Sequence, residues 1–325
     1  MTFLTFITSC DRKQDSLGAD NEIRVICSKE DRKVIKNYLS LIFSDTIFTP
    51  EPEPYYYLKF SDPETYEQLK SQAYVIIASA SSNPKNLGYQ LIKTILPENQ
   101  FTQIQQNGPM ILGRDVFARK QLFMILNLEK EQKSQKFIND KKNFIREVYH
   151  NQFISRQRKF ILDGISNIEL EESLASRYDW SLKIPWGWEL IKEYPDSNFV
   201  WIGKEMPFQW ISVNWESGNL IKNELEAGNY FWKWLPKYYD YIQASNHKFE
   251  LDKATFNNNY AWRLRGVWET KKIKEAKGGP FVSYLFYDKE NNLTYHLNYL
   301  VHYPGKDKSI YMRQLDLIVK SFKIK

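Results

Sequence analysis

One stretch limits the folds open to this chain more than any other: Ala73–Ala80 reads AYVIIASA, with no charge in it. A run that short and that apolar reads as a strand buried on both faces, which belongs in a sheet covered by helices on each side. Its neighbours supply the helices. KEDRKVIKNYLSLIFS carries Val34, Tyr38, Leu41 and Ile42 on one stripe, and SSNPKNLGYQLIKTIL follows as another helix. In DPETYEQLKSQ, Asp62 is placed to cap a helix with Pro63 at its first position and Glu64 behind it. NEIRVICS and YYYLKFS read as strands, TPEPEP as a stiff extended connector, and PMILGRDVFARKQLFMILNL as a hairpin with a strongly apolar second strand. This alternation predicts a small α/β layer.

Nothing breaks a helix from Glu129 to about Leu162, where Phe137, Ile138, Phe144, Ile145, Val148, Tyr149, Phe153 and Ile154 recur at helical spacing. That stripe is expected to pack on the first sheet. DGISN offers turn residues, and IELEESLASRYDW reads as a further short helix. The second half has another texture. SLKIPWGWELIKEYP, NFVWIGKE, FQWISVNWES, NNNYAWRLRGVWET, GGPFVSYLFYDKE and NNLTYHLNYLVHYP read as strands punctuated by turn residues. AGNYFWKWLPKYYDYIQAS reads as an aromatic helix bent or started at Pro236, and SIYMRQLDLIVKSF as a closing helix with Tyr311, Leu315, Ile318 and Phe322 on one face. The 10 Trp, 21 Tyr and 20 Phe fit a strand-rich core, or a surface that stacks on sugars or flat ligands. The expected fold class is therefore α+β: an N-terminal small α/β layer domain, a long helix, then a C-terminal antiparallel sheet with packed helices. Residues 1–20 are assigned to a signal remnant and flexible tether, 21–163 to the N-terminal domain and 164–325 to the C-terminal domain.

The chain opens MTFLTFITSC and turns polar at DRKQDSLGADN. Ile7-Thr8-Ser9-Cys10 resembles the bacterial lipobox, in which the cysteine is lipidated and becomes the mature N-terminus; the polar run behind it suits a tether. The reading expects an in-frame basic n-region upstream of Met1; the opposing reading is a cytosolic protein whose Met1 is the true start. A lipid anchor at Cys10 would hold the protein on a membrane of the cell envelope, on the periplasmic or the surface side. The other cysteine, Cys27, lies in an apolar strand and reads as a buried thiol. Net charge is +6, but the densest basic zone, Lys130 to Lys159, also holds Glu129, Glu131, Asp140 and Glu147. That is the wet side of a helix, so no nucleic-acid partner is expected.

Four stretches together resemble a family of bacterial envelope lipoproteins catalogued as domain of unknown function 4837: Ile184–Trp188 (IPWGW), Ala261–Glu269 (AWRLRGVWE), Gly279–Tyr284 (GPFVSY) and Tyr303–Leu315 (YPGKDKSIYMRQL). The PEPEP connector and Cys10 fit it too. The resemblance implies an envelope address and no catalytic residues. More faintly, the second half is similar to PsbP/Mog1-like domains, which implies an α/β sandwich used mainly for binding.

No GxxxxGK[ST], GxGxxG, GxSxG or HExxH occurs, and no catalytic residue, metal ligand or cofactor is assigned. His296 and His302 share a strand face, expected to be solvated. Strand alternation puts Arg263, Arg265 and Glu269 on one face and Trp262, Leu264 and Trp268 on the other; the arginines make cross-strand ion pairs or an anion-reading patch. Trp186 and Trp188 flank Gly187, and Trp232 and Trp234 cannot both face one side of a helix. Trp186, Trp188, Trp232, Trp234, Arg263 and Arg265 form the speculative binding surface. The expected role is non-catalytic binding or scaffolding, with an unidentified envelope protein or a glycan as partner. The alternative from another class is a glycan-directed hydrolase working through an Asp/Glu pair across an aromatic cleft.

Overall fold

The computed structural model describes residues 13–49, 51–106, 108–128, 131–272 and 277–325, and the chain divides into two units. The fold is mixed α and β, as the sequence pattern requires. Cys10 and the lipobox lie outside the described residues. The first unit comprises Met1–Ser44 and Tyr56–Phe153, the second Asp45–Tyr55 and Ile154–Lys325. The chain thus crosses between units three times, where the sequence reading placed a single boundary at 163.

In the first unit, β1 (Glu22–Ile26), β2 (Tyr57–Ser61), β3 (Tyr74–Ser79), β4 (Met110–Arg114) and β5 (Leu122–Asn127) form a five-stranded sheet ordered β2-β1-β3-β5-β4. All pairs are parallel except the β4–β5 hairpin. Every residue of β3 is buried, as its uncharged sequence demands. Helix α1 (Arg32–Ile42) precedes β2, while α2 (Leu87–Ile95) and α3 (Glu98–Gln106) follow β3. Ile92, Phe101 and Ile104 pack with Val75, Ile77, Phe123 and Ile125 on one face. On the other, Tyr74 stacks on Tyr149 of α4 (Glu131–Ile161) with ring centroids 5.6 Å apart, and the Tyr56 hydroxyl donates to the Tyr149 carbonyl at 2.8 Å. The stripe of α1 is one residue out of the expected phase: Ile35, Tyr38, Leu39 and Ile42 are buried, and Val34 and Leu41 are over 40% exposed. Burial follows the residues whose direction meets the sheet, and Val34 and Leu41 fall on the flank. Asp62 does not cap with its side chain; it pairs with Arg32 at 2.8 Å, and only a short turn and Tyr66–Leu69 are helical.

The second unit holds a seven-stranded antiparallel sheet made from β6 (Glu189–Tyr194), β7 (Phe199–Lys204), β8 (Phe208–Ser217), β9 (Ile242–Phe256), β10 (Asn259–Thr270), β11 (Gly278–Asp288) and β12 (Leu293–His302). The order is β9-β10-β11-β12-β8-β7-β6. Helix α5 (Ile168–Arg177) precedes the sheet, α6 (Glu224–Tyr238) joins β8 to β9, and α7 (Ser309–Val319) follows β12. Alternation sorts the side chains cleanly. Trp201, Trp262, Leu264, Trp268, Phe281 and Leu300 pack with Phe231 and Trp234 of α6, while Ile211, Val213, Tyr284, Leu297 and Tyr299 pack with Met312, Leu315 and Ile318 of α7.

Residues 45–55 belong to this unit. Thr46–Ile47 pairs with Glu53–Pro54, and Ile47 joins the α7-side core. Four bonds among the described residues tie this strap down: Lys308 Nζ to Glu53 at 2.6 Å, the Lys308 N–H to the same carboxylate at 2.5 Å, Arg313 to the Tyr55 carbonyl at 3.2 Å, and Lys248 to the Thr49 carbonyl at 2.9 Å. The Glu53–Pro54 end of the PEPEP connector is therefore a packed element. Helix α6 corrects another expectation: it does not start at Pro236 but at an Asn223 cap. Asn223 accepts the Glu226 N–H at 2.9 Å, and Glu226 accepts the Lys222 N–H at 2.9 Å. Pro236 sits in the last turn, and Ile242–Phe256 form β9.

Candidate ligand-binding cleft in the C-terminal unit

At one end of the seven-stranded sheet three connections and the chain terminus enclose a cleft of about 1200 Å³. Phe256, Phe286 and Phe322 supply apolar lining and are nearly inaccessible, with Phe256 and Phe286 stacked at 5.0 Å. The β9–β10 hairpin turns through Asn257 and Asn258, whose φ values of 46° and 70° are ones that asparagine tolerates better than other side-chain-bearing residues. Asn257 donates from Nδ2 to the Phe322 carbonyl at 2.8 Å and ties that turn to the C-terminal segment. Tyr260 is 57% exposed and stands edge-on to Trp262, whose Nε1 donates to the Ile221 carbonyl at 3.0 Å. Across the β11–β12 turn the Tyr287 hydroxyl donates to Asn292 at 2.8 Å, while Asp288 accepts the Asn291 N–H at 3.1 Å. Amide side chains of Asn219, Asn257, Asn258 and Asn259 and the rings of Tyr260 and Tyr287 thus border one concavity. The carboxylates there, Asp288 and Glu290, stand on a single turn rather than on facing walls, so the opposed pair that glycoside hydrolysis needs is not met in this cleft.

The residues singled out from sequence do not converge. Trp188 and Trp234 are 2% exposed and belong to the two cores, which removes them from any surface. Trp186 is 75% exposed beside Ile165, to whose carbonyl its N–H donates at 3.1 Å, whereas Trp232 lies on α6 against Phe249. Gly187 between the IPWGW tryptophans has φ 78°, so the loop turns one ring out and the other in. Arg263 and Arg265 make the cross-strand pairs: Arg263 grips Asp252 at 2.5 and 3.2 Å, and Arg265 meets Glu250 at 2.8 Å. The Asp252 hydrogen bonds hold the Arg263 guanidinium even more firmly protonated than usual. With their carboxylates in place, these forks are not an open anion reader.

The histidine face is a second correction. His296 is 0% exposed and His302 9%, because β12 is an inner strand and its even-numbered face lies beneath α6 or the neighbouring aromatics. His296 sits 4.0 Å from the Trp234 ring, neither of its ring nitrogens has a hydrogen-bond partner, and burial pulls its pKa down to about 3. Nearby, Asn214 accepts from Tyr230 at 2.9 Å and donates to the Asn198 carbonyl at 2.8 Å, and Ser283 donates to Asn298 at 2.8 Å. Under α7, Asp316 accepts from Tyr284 at 2.9 Å and Tyr299 at 3.0 Å; burial first, then this carboxylate, raises both phenol pKa values. Among the described residues no group of three or more His, Cys, Asp or Glu could hold a metal.

In the first unit the order β2-β1-β3 places a topological switch point between β1 and β3, where doubly wound sheets bind ligands. Here Ser28 donates to Asn86 at 3.0 Å, and Asp31 accepts from Asn86 at 3.0 Å and from the Ala80 N–H at 3.1 Å. The crevice is filled by its own side chains. Sequence reasoning passed over this cluster and the cleft alike, since each assembles from segments distant in the chain; the NNN triplet at 257–259 was the one local signal for the cleft.

The two units define an α+β protein with a parallel-dominated sheet and an antiparallel one. The model of a family described as a domain of unknown function (DUF4837) matches residues 236–321, which contain three of the four stretches that carry the family resemblance. Two of these have clear structural reasons: a Cβ on Gly279 would fall on the Val301 carbonyl oxygen, and Arg313 holds the strap. Among solved structures, the chain is similar to the Saccharomyces cerevisiae Ran-binding protein Mog1p at 12% identity over 45% of this chain and 90% of that one, with a TM-score of 0.31. LpqN of Mycobacterium tuberculosis, described as involved in cell envelope biogenesis, is similar at 16% identity over 45% and 83%, with a TM-score of 0.30. A Bacteroides thetaiotaomicron protein matches at 9% identity over 45% of each chain, with a TM-score of 0.27. No curated protein matches.

Proposed function

We propose that this chain is a lipid-anchored protein of the bacterial envelope that binds a glycan without catalysis, in the cleft at the end of its C-terminal sheet. The anchor reading rests on Ile7–Cys10, the polar run after it and the family resemblance. No described helix is long and apolar enough to cross a membrane, so membrane attachment in this reading falls to the lipid. The observation that carries the binding role is the cleft itself. Its amides offer donors and acceptors to sugar hydroxyls, and Tyr260 offers an exposed ring for a sugar face.

Two measurements test it. Radiolabelled palmitate should enter the full-length protein and not Cys10→Ala, and wild type should fractionate with membranes; an unlabelled protein in the soluble fraction overturns the anchor. Titration of the full chain with oligosaccharides should quench tryptophan fluorescence, and Tyr260→Ala should weaken binding at least tenfold. No response to any saccharide overturns the glycan role. A protein partner is the second reading, favoured by Trp186 at 75% and Ile165 at 81% exposure on adjoining loops and Ile168 at 58% at the start of α5.

A further inference from the structure

We propose that the ligand of this cleft is an acidic glycan, a saccharide bearing carboxylate or phosphate groups, and that Lys222, Lys289 and Lys323 read its charge. The inference rests on the glycan reading above and gives that ligand a chemical class.

Four lysines and two carboxylates line the cleft: Lys222, Lys289, Lys320 and Lys323 against Asp288 and Glu290. Lys320 is neutralised by Asp316 on its own helix at 2.6 Å. Asp288 is turned to the backbone, where it accepts the N–H groups of Glu290 at 3.4 Å and Asn291 at 3.1 Å. Lys222, Lys289 and Lys323 have no carboxylate within ion-pair distance among the described residues, and all three are exposed. They come from three separate parts of the chain: the approach to α6, the β11–β12 turn and the C-terminal end. A run of lysines in one segment would be an ordinary solvated face. Lysines brought from three segments to one concavity repel one another, and a concave low-dielectric wall focuses the resulting field on whatever enters it.

In this unit the cations of Arg263, Arg265 and Lys308 are neutralised by Asp252, Glu250 and Glu53. Lys222, Lys289 and Lys323 lack such partners among the described residues, and an anionic ligand would supply them. Lysine also suits the task. Its ammonium is a point charge on a flexible stem that follows an anion in many orientations, where an arginine fork would fix one geometry. The asparagine amides and Tyr260 would engage the sugar ring that carries the anion.

The test uses the full chain, titrated with oligogalacturonate, with a phosphorylated mannan oligomer and with a neutral galactan oligomer of equal length, at low and high salt. The acidic oligomers should bind about tenfold tighter than the neutral one at low salt and lose that margin at high salt. The triple variant Lys222→Gln, Lys289→Gln, Lys323→Gln should abolish the margin and leave neutral binding unchanged; these positions are exposed, and its far-UV spectrum should match wild type. A response to only one acidic oligomer assigns carboxylate or phosphate. Equal, salt-insensitive binding of acidic and neutral oligomers overturns this inference and leaves the glycan reading standing. Preference retained by the triple variant overturns the lysine assignment. Binding of none overturns both readings together.

Discussion

A buried histidine with no partner for either nitrogen should make this protein acid-sensitive in a way that one substitution removes. His296 is 0% exposed, faces Trp234 at 4.0 Å, and has its pKa lowered by burial from 6.5 to about 3. The folded state keeps the ring neutral, whereas the unfolded chain protonates it once pH drops below about 6.5. The stability this group contributes is therefore complete above 6.5 and is lost progressively as pH falls toward 3. At pH 5 the loss relative to pH 8 is about 2 kcal/mol, and near pH 3 it is about 4 kcal/mol. Replacement by leucine removes the titration together with two unsatisfied polar atoms, so His296→Leu should lie within about 1 kcal/mol of wild type at pH 8. All 10 tryptophans lie between Trp180 and Trp268, so fluorescence in urea reports the second unit alone. The wild-type midpoint should fall by about 1 M more than that of His296→Leu between pH 8 and pH 5. Every other ionisable group is common to the two proteins and cancels in the difference. Parallel loss in the two proteins would refute the argument.

The strap should be costly to cut: Glu53→Ala leaves the Lys308 ammonium, 14% exposed, without its carboxylate and should cost about 2–3 kcal/mol by thermal melting, with much of it regained in the Lys308→Met double variant. A chain starting at residue 164 lacks Thr49, Glu53 and Tyr55, and should show no cooperative melt or a midpoint at least about 10 °C lower than the second unit of the full chain. Burial pushes the Cys27 thiol up to about 12, so in Cys10→Ser iodoacetamide at pH 8 should leave Cys27 unmodified until urea is added; rapid native labelling would contradict its burial.

Much of the fold was legible because its signals are local. AYVIIASA demanded cover on both faces and received it. AWRLRGVWE sorted its arginines from its tryptophans by alternation alone, and the structure supplied Asp252 and Glu250 opposite the arginines. Where two local readings compete, the outcome needs the neighbours. The period in α1 fits a stripe through Val34 or through Ile35, and only the position of the sheet selects Ile35. His296 and His302 stand on a strand that reads as half-polar, and only the placement of β12 inside the sheet buries them.

The chain's periodicities, its turn asparagines and its uncharged strand determined which segments become helices and strands and which face of each is apolar, because those properties follow from backbone geometry a few residues at a time. Tertiary structure alone decided that residues 45–55 strap the second unit, that Trp186 points out while Trp188 points in, and that three lysines from distant segments border one cleft. Such placements depend on long-range strand order and on which surfaces compete for burial, and no short window of sequence contains both partners.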